Sequence, residues 1–577
     1  MRRKLYGFAA VAVAGALALA GCSAGGSNGQ SGGGDAVQGE GTNPQERGNL
    51  EQGGELRMSI SAMPDSWNTL SLAGNNVDTN RIASFAAPQN WLYNADGSFV
   101  DNPTFVTSHE VKTGDDASNG KQEVILHLND KAVWGDGSPI TWEDYSATWH
   151  ACGLVDENGN TVESSDFDCA SNDGFSHWES VGQGDTEYDV VIAFRDVFPD
   201  WSAALSSVYP RAGIADAKTF NEGWEKPNND WFTGPYKFAN VDEAQQVITL
   251  EPNENWWADE ALLDTVSFRV LDPAAAATAY AAGELDVLEG IIDAQQYLQA
   301  EGRADGEIRR AGGLTWRHFT FNGDSGVLAD KELRAVLARG VDRVAITESD
   351  LAGIPDLDPQ ALVLGNHFFM PDQEGYENNG KDWDFDFEGV QKDLDELGWT
   401  LDDGADVRTN EAGEKLTFEY VMMPDISTSK NEGELLQAQM KEIGVEVTIK
   451  NVSSAEFFEE YVFPGKFGVT SFAWQGTPYP MANITQLYGC TFGRDGGSNF
   501  TNVCVDEIQT LAEEIAVDPD HSNRIKKTND VDKLIWENGM ILPLYQRMEM
   551  TAVPANLANY GAFGMSSVPF QNIGYMK

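Results

Sequence analysis

The chain has 577 residues, of which 41% are hydrophobic and 22% charged, a composition that excludes an intrinsically disordered chain. At about 100–200 residues per domain, it has room for three or four domains or two large lobes. Its 38 Lys and Arg against 91 Asp and Glu leave a net charge of −53. That charge argues against a nucleic-acid partner and against polybasic attachment to anionic lipid. The acidity reads first as solubility, with a trap for cationic ligands as the sharper alternative. The 16 Trp and 16 Tyr exceed what a core alone usually needs, and such rings often line ligand clefts.

Residues 1–21 read as a secretory signal: Arg2, Arg3 and Lys4, then an apolar run from Leu5 to Ala20 too short to span a bilayer comfortably. Leu19-Ala20-Gly21-Cys22 resembles a bacterial lipobox, which makes Cys22 the expected acylation point. Two acyl chains there suffice for stable anchoring. Residues 22–54 are rich in Gly and Ser and read as a flexible tether, with a reach of roughly 30 Å. The body is therefore expected at the outer face of the cell membrane.

Along the body, strands are expected over Glu55–Ala62 and Glu123–Asn129, with a helix from Thr141 to Cys152 capped by Thr141. Strands follow at Glu187–Phe194 and Gln246–Glu251, then an Ala-rich helix over Ala274–Ala282 ended by Gly283. Thr315–Asn322 reads as a strand and Asp330–Gly340 as an amphipathic helix. Asp382 to Gly389 carries carboxylates at alternate positions, but its glycine comes too late for a calcium loop, so Asp386 is expected to cap a helix over Phe387–Gly398. Strands at Leu416–Met422 and Val445–Val452 flank a helix over Glu432–Ile443, and helices close the pattern at Asp506–Val517 and His521–Asn538. Repeated helix–Gly–strand units imply α/β lobes.

Besides Cys22, the cysteines form two sequence-local pairs, Cys152 with Cys169 and Cys490 with Cys504. Four cysteines allow three pairings; in an oxidising exterior the local ones are preferred. No catalytic or metal pattern stands out. The seven histidines are scattered, no cofactor motif or phosphate loop is present, and both Gly-x-Ser-x-Gly matches fall in the signal or the tether. Gly323-Asp324-Ser325-Gly326 resembles a serine-protease loop but reads more simply as a turn.

An ordered set of motifs then resembles the bacterial extracellular solute-binding protein family 5, the peptide-binding components of ABC importers. Leu128 to Trp149 (LNDKAVWGDGSPITWEDYSATW) resembles its signature, and Thr233-Gly234-Pro235-Tyr236 its "TGPY" strand entry. Asn253 to Trp257, Tyr280 to Val287 (YAAGELDV), Asp330 to Ile346 and Ile541 to Gln546 (ILPLYQ) match further segments in order. Arg334 and Arg339 read as surface charge or lobe-bridging ion pairs, Asp342 and Arg343 as a cap and a local pair, and all four as scaffold.

The resemblance implies an α/β fold of the type II, cluster C kind: two lobes closing like a hinged clamp, with an extra domain on the first. The first lobe would take residues 54–88, 206–320 and 546–577, the inserted domain 89–205 and the second lobe 321–545, with a hinge near Phe321 and Pro543. It further implies ligand contacts after the first strand, at Met63, Pro64 and Asp65. A loop of the second lobe would supply Trp474, Gln475, Gly476, Thr477 and Tyr479. His367 and Phe368 are expected to wall the same pocket. Peptide receptors commonly carry an Asp near the position of Thr477, and a neutral hydroxyl cannot pair an ammonium in the same way. Glycans, modified peptides and metal chelates therefore stay open as ligands, beside oligopeptides. The expected protein is a lipid-anchored monomer that binds solute, works with ABC permease subunits and needs no cofactor. A secreted hydrolase, or a receptor that signals or assists folding, is the rival reading.

Overall fold

The computed structural model describes residues 41–577. The signal segment, Cys22 and the tether up to residue 40 lie outside the described residues.

Three sheets organise the chain. The first has four strands in the order Glu55–Ile60, Thr265–Val270, Val247–Pro252, Tyr236–Asp242. Its opening strand forms because Leu56, Met58 and Ile60 alternate with polar residues and are all buried. The second sheet is wholly antiparallel, in the order Val106–Thr113, Gln122–Leu128, Asp189–Phe194, Trp178–Gln183. Helix Trp142–Cys152 packs beside it. Thr141 and Asp144 cap that helix reciprocally, and Cys152 ends it in a disulfide to Cys169, with Cα atoms 5.8 Å apart. These two sheets share one apolar core that includes Trp67, Phe85, Trp149, Trp178 and Phe268.

The third sheet carries five strands in the order Glu446–Asn451, Thr417–Met422, Val469–Gln475, Gly306–Phe321, Ile541–Pro554. Its first three strands run parallel and end at one edge, where the loop 476–483 emerges. Helix Ser427–Glu442 covers one face, and helices Asp506–Val517 and His521–Glu537 help cover the other. The second disulfide joins Cys490 to Cys504, so both bonds are the local ones. The expected cap at Asp386 is present, accepting from Gly389, which makes the acidic run a cap; Asp330 likewise caps its helix, accepting from Glu332 and Leu333. Arg334, expected as surface charge or a lobe-bridging pair, is buried, as is Arg343, while Asp342 caps its helix by accepting from Ala345 N. Arg334 donates to the carbonyls of Leu328, Ala329 and Asn538, and Arg343 to those of Leu364, Pro543 and Gly380.

Two features differ from the sequence expectations. Residues 41–54, counted as tether, are bound to the first lobe: Gly41 exchanges backbone bonds with Ala562, and Glu51 N donates to Tyr575 O at 2.8 Å. The Arg47 guanidinium donates to the carbonyls of Gln571 and Glu260. Scarcity of apolar residues made this segment read as free, but backbone pairing needs none.

The second difference is at the crossing between lobes. Gly306–Phe321 is one continuous strand, so the expected boundary at 320/321 falls inside it. Its pairing with Ile541–Pro554 breaks register between Gly312 and Trp316. Gln546 Nε2 fills the break by donating to Gly313 O at 2.7 Å. A Cβ on Gly313 would stand 2.4 Å from Arg547 O, so only glycine admits the two backbones this closely.

Candidate functional site

The loop after Val469–Gln475 is held from both sides. Strand pairing sets Trp474 opposite Trp316, Gly476 N donates to Leu314 O at 2.9 Å, and Thr315 Oγ1 donates to Gln475 Oε1 at 2.5 Å. Trp474 is half-buried in a ring stack, parallel to Phe500 at 5.7 Å and to His318 at 5.9 Å, with Phe472 edge-on. Burial, with Arg317 next to it, pushes the His318 imidazole well below its usual range, so the wall behind Trp474 is neutral.

Thr477 is exposed, and its side chain serves the turn: its hydroxyl accepts from Tyr479 N at 3.1 Å. Its carbonyl accepts from Gln373 Nε2 at 3.1 Å. Tyr479 reaches across to the inserted domain. Its hydroxyl lies 2.9 Å from Tyr93 OH and 3.1 Å from Ser202 Oγ, and its ring stands perpendicular to Tyr93. Burial and the neighbouring hydroxyl raise Tyr93, and burial raises Tyr479, so both stay neutral at physiological pH. Beside them Arg524 pairs with Asp200 at 2.5 Å. A cavity of about 330 Å³ lies among these groups, walled by Phe99, Trp201, Phe369, Pro478, Tyr479 and Met481.

Met63, Pro64 and Asp65 line a different, larger groove of about 750 Å³ on the first lobe, with Trp67, Lys226 and Phe238. The turn before them is pinned by Asp78, whose Oδ2 accepts from Ser61 N and Ala62 N. Asp65 is exposed. The two expected contact segments thus do not line one cavity.

His367 and Phe368 sit in the core of the second lobe. His367 Nδ1 lies 2.7 Å from Asp532 Oδ1 and its Nε2 lies 3.0 Å from Ile541 O, so both ring nitrogens are engaged; Phe368 packs edge-on against Tyr488. Their neighbour Phe369 is the residue of that run that reaches the cavity. Sequence reasoning missed Tyr93, Asp200, Ser202, Gln373 and Arg524. No local signal marks them, because each matters only through a partner remote in the chain; Asp200 and Arg524 are 324 positions apart.

A family profile for the bacterial extracellular solute-binding proteins, family 5 (middle region) matches residues 104–495. The oligopeptide-binding protein OppA of Mycobacterium tuberculosis (strain ATCC 25618 / H37Rv) is 31% identical over 540 residues, which is 93% of this chain and 87% of the relative. Among solved structures, the periplasmic EDTA-binding protein EppA superposes with a TM-score of 0.78 at 20% identity, covering 94% of this chain and 99% of that one. The oligopeptide-binding protein AppA of Bacillus subtilis, solved with a nonapeptide, gives 0.67 at 19%, covering 92% and 100%. Among the described residues no helix is long and apolar enough to cross a membrane. The mixed α/β fold is the two-lobed type II fold of these neighbours, and the chain belongs to the bacterial extracellular solute-binding proteins of family 5, the solute-binding components of ABC importers.

Proposed function

We propose that this protein captures oligopeptides between its two lobes and presents them to an ABC permease from a lipid anchor at Cys22. The observation that carries the ligand class is the 31% identity, across nearly the whole chain, to a relative named as oligopeptide-binding. The local chemistry agrees. Main-chain recognition of an extended peptide needs unpaired backbone groups beside flat walls. The N–H groups of Met63 and Asp65 have no partner among the described residues, and Trp474 and Tyr479 offer ring surface. In this reading Met63, Pro64 and Asp65 meet the ligand from the first lobe, and Trp474, Gln475, Gly476, Thr477 and Tyr479 meet it from the second. The inserted unit is residues 89–205, and the lobes pivot near Phe321 and Pro543, next to the register shift between Arg317 and His318.

A second reading rests on Thr477. A hydroxyl engaged in its own turn leaves no charge at that position for an ammonium, so a ligand without a free amine, including a chelate of the kind EppA is named for, fits the loop as well.

Native mass spectrometry of protein purified from the producing cell, followed by denaturation, tests both. Release of a mixed set of short peptides is expected. A sugar, a chelate or nothing would overturn the peptide reading. Loss of lipid labelling in Cys22→Ser tests the anchor.

A further inference from the structure

The two halves of the molecule meet in two places of opposite character. The apolar core under the first two sheets draws its buried residues from positions up to Val287 and again from Val553 onward, and from none between. The cluster behind Trp316 and Tyr488 is built wholly from the second lobe and its entry strand. Among the described residues, only at the crossing does one apolar cluster run through both halves, with Tyr280, Leu285 and Ile291 packed into the same body as Met548, Phe319 and Leu542.

Where the inserted domain meets the second lobe, the seam carries polar groups beside a cavity that Phe99, Trp201, Phe369 and Met481 also wall. Asp200 stands between Pro199 and Trp201, and Trp201 is wedged edge-on against Trp91. Arg524 is fixed by Nε donating to Ile515 O at 3.0 Å, and its Nη2 meets Asp200. The two side chains are 4% and 10% exposed, so each is nearly stripped of water where the halves touch. The Tyr93–Tyr479–Ser202 hydroxyls lie alongside, and Gly97 packs at ordinary van der Waals distance from Gln373 and Pro478. A seam of hydroxyls and one ion pair around a cavity can separate and rehydrate, whereas a continuous apolar cluster cannot part without exposing its surface.

We propose that Asp200, Arg524 and Tyr479 form a clasp between the inserted domain and the second lobe, and that its opening sets how long the cleft retains a ligand. Asp200 and Arg524 are positioning residues that act through the closed geometry; Tyr479 also faces the ligand in the proposed reading, so its variant reports on both. Removing one charge leaves the other buried without a partner when the cleft shuts, so the closed state alone is penalised and the rate that changes is release.

The test uses the full chain with nitroxides on Glu157→Cys and Lys392→Cys, exposed positions of the inserted domain and the second lobe. Asp200→Ala and Arg524→Ala are each expected to shift the spin–spin distance distribution to a longer, broader population, and the swap Asp200→Arg with Arg524→Asp to restore the short one. Release of a bound fluorescent peptide is expected to quicken about tenfold or more in the single variants and less in Tyr479→Phe, with the thermal midpoint little changed. Unchanged distances would overturn the clasp, and longer distances with unchanged release would overturn its control of retention. Only the release arm rests on the peptide reading. If no peptide binds, that reading fails, while the distance measurement still decides the clasp.

Discussion

Arg317–Glu432 and Asp200–Arg524 are both buried arginine–carboxylate pairs, yet they sit in different kinds of place. Arg317 and Glu432 lie inside the second lobe, 5% and 0% exposed, bound through Nε at 2.7 Å and also through Nη2, with Ser471 and Tyr420 completing the network. Burial alone would lower Arg317, but Glu432 outweighs it and holds the guanidinium charged. That network is enclosed by the core of one lobe. Asp200 and Arg524 have similar burial, but it exists only while two separately built cores are in contact. The comparison teaches that burial of an ion pair does not by itself indicate its role; whether one core or two enclose it does.

The sharpest way to break this comparison is Glu432→Ala. It leaves Arg317 charged and unpaired in a closed core, and a loss of about 3–5 kcal/mol is expected in urea unfolding of the second lobe. A loss no larger than that of Asp200→Ala would erase the distinction drawn here. Next, Cys152→Ser opens a link across 17 positions at the end of helix Trp142–Cys152, with an expected loss of about 3 kcal/mol in the unfolding of the core that the first two sheets share and no effect on the second lobe. On the ligand side, Trp474→Phe keeps a ring in the stack with Phe500 and His318. Calorimetric titration should show affinity for a captured peptide falling about tenfold, or about 1.4 kcal/mol, with stability nearly intact.

The smallest effect concerns Glu549, in the part of Ile541–Pro554 that carries the crossing. Burial pushes its carboxyl up to about 6, against the pull of the Phe563 and Gly564 N–H groups that it accepts. An acid with a raised folded value stabilises the fold when protonated. Its contribution is fully present below about pH 4.5 and is lost as pH rises through about 6. Glu549→Gln should flatten stability between those values by about 1–2 kcal/mol, and an unchanged slope would show that another group titrates there.

Much of the local structure was legible from residue order. Thr141, Asp330 and Asp386 announce their helices because a cap bonds within three residues. Gly283 ends the Ala-rich helix at a φ of +74°. Strand Val106–Thr113 was not legible. Most of its residues after Val106 face water, so the apolar alternation that marks a strand is missing; pairing with Gln122–Leu128 makes it one. The first half of Gly306–Phe321 was hidden by Gly312 and Gly313, which look like a break and serve as one only in register. The candidate site was legible as two loops, through Trp474 and the segment after Ile60. Their placement apart in the fold was not, nor was the core position of His367, whose two ring partners lie 165 and 174 residues away.

What neighbours along the chain decide was readable in residue order: capped helices, the alternating first strand and the ordered motifs of the family, with the two local disulfides preferred among three pairings and fixed by the fold. Only the tertiary structure decided which polar groups are scaffold and which form a seam. Asp200 and Arg524 differ from other acids and bases in nothing local. Desolvation and partnership belong to the packed molecule, and they arise where two cores, each complete alone, are brought face to face.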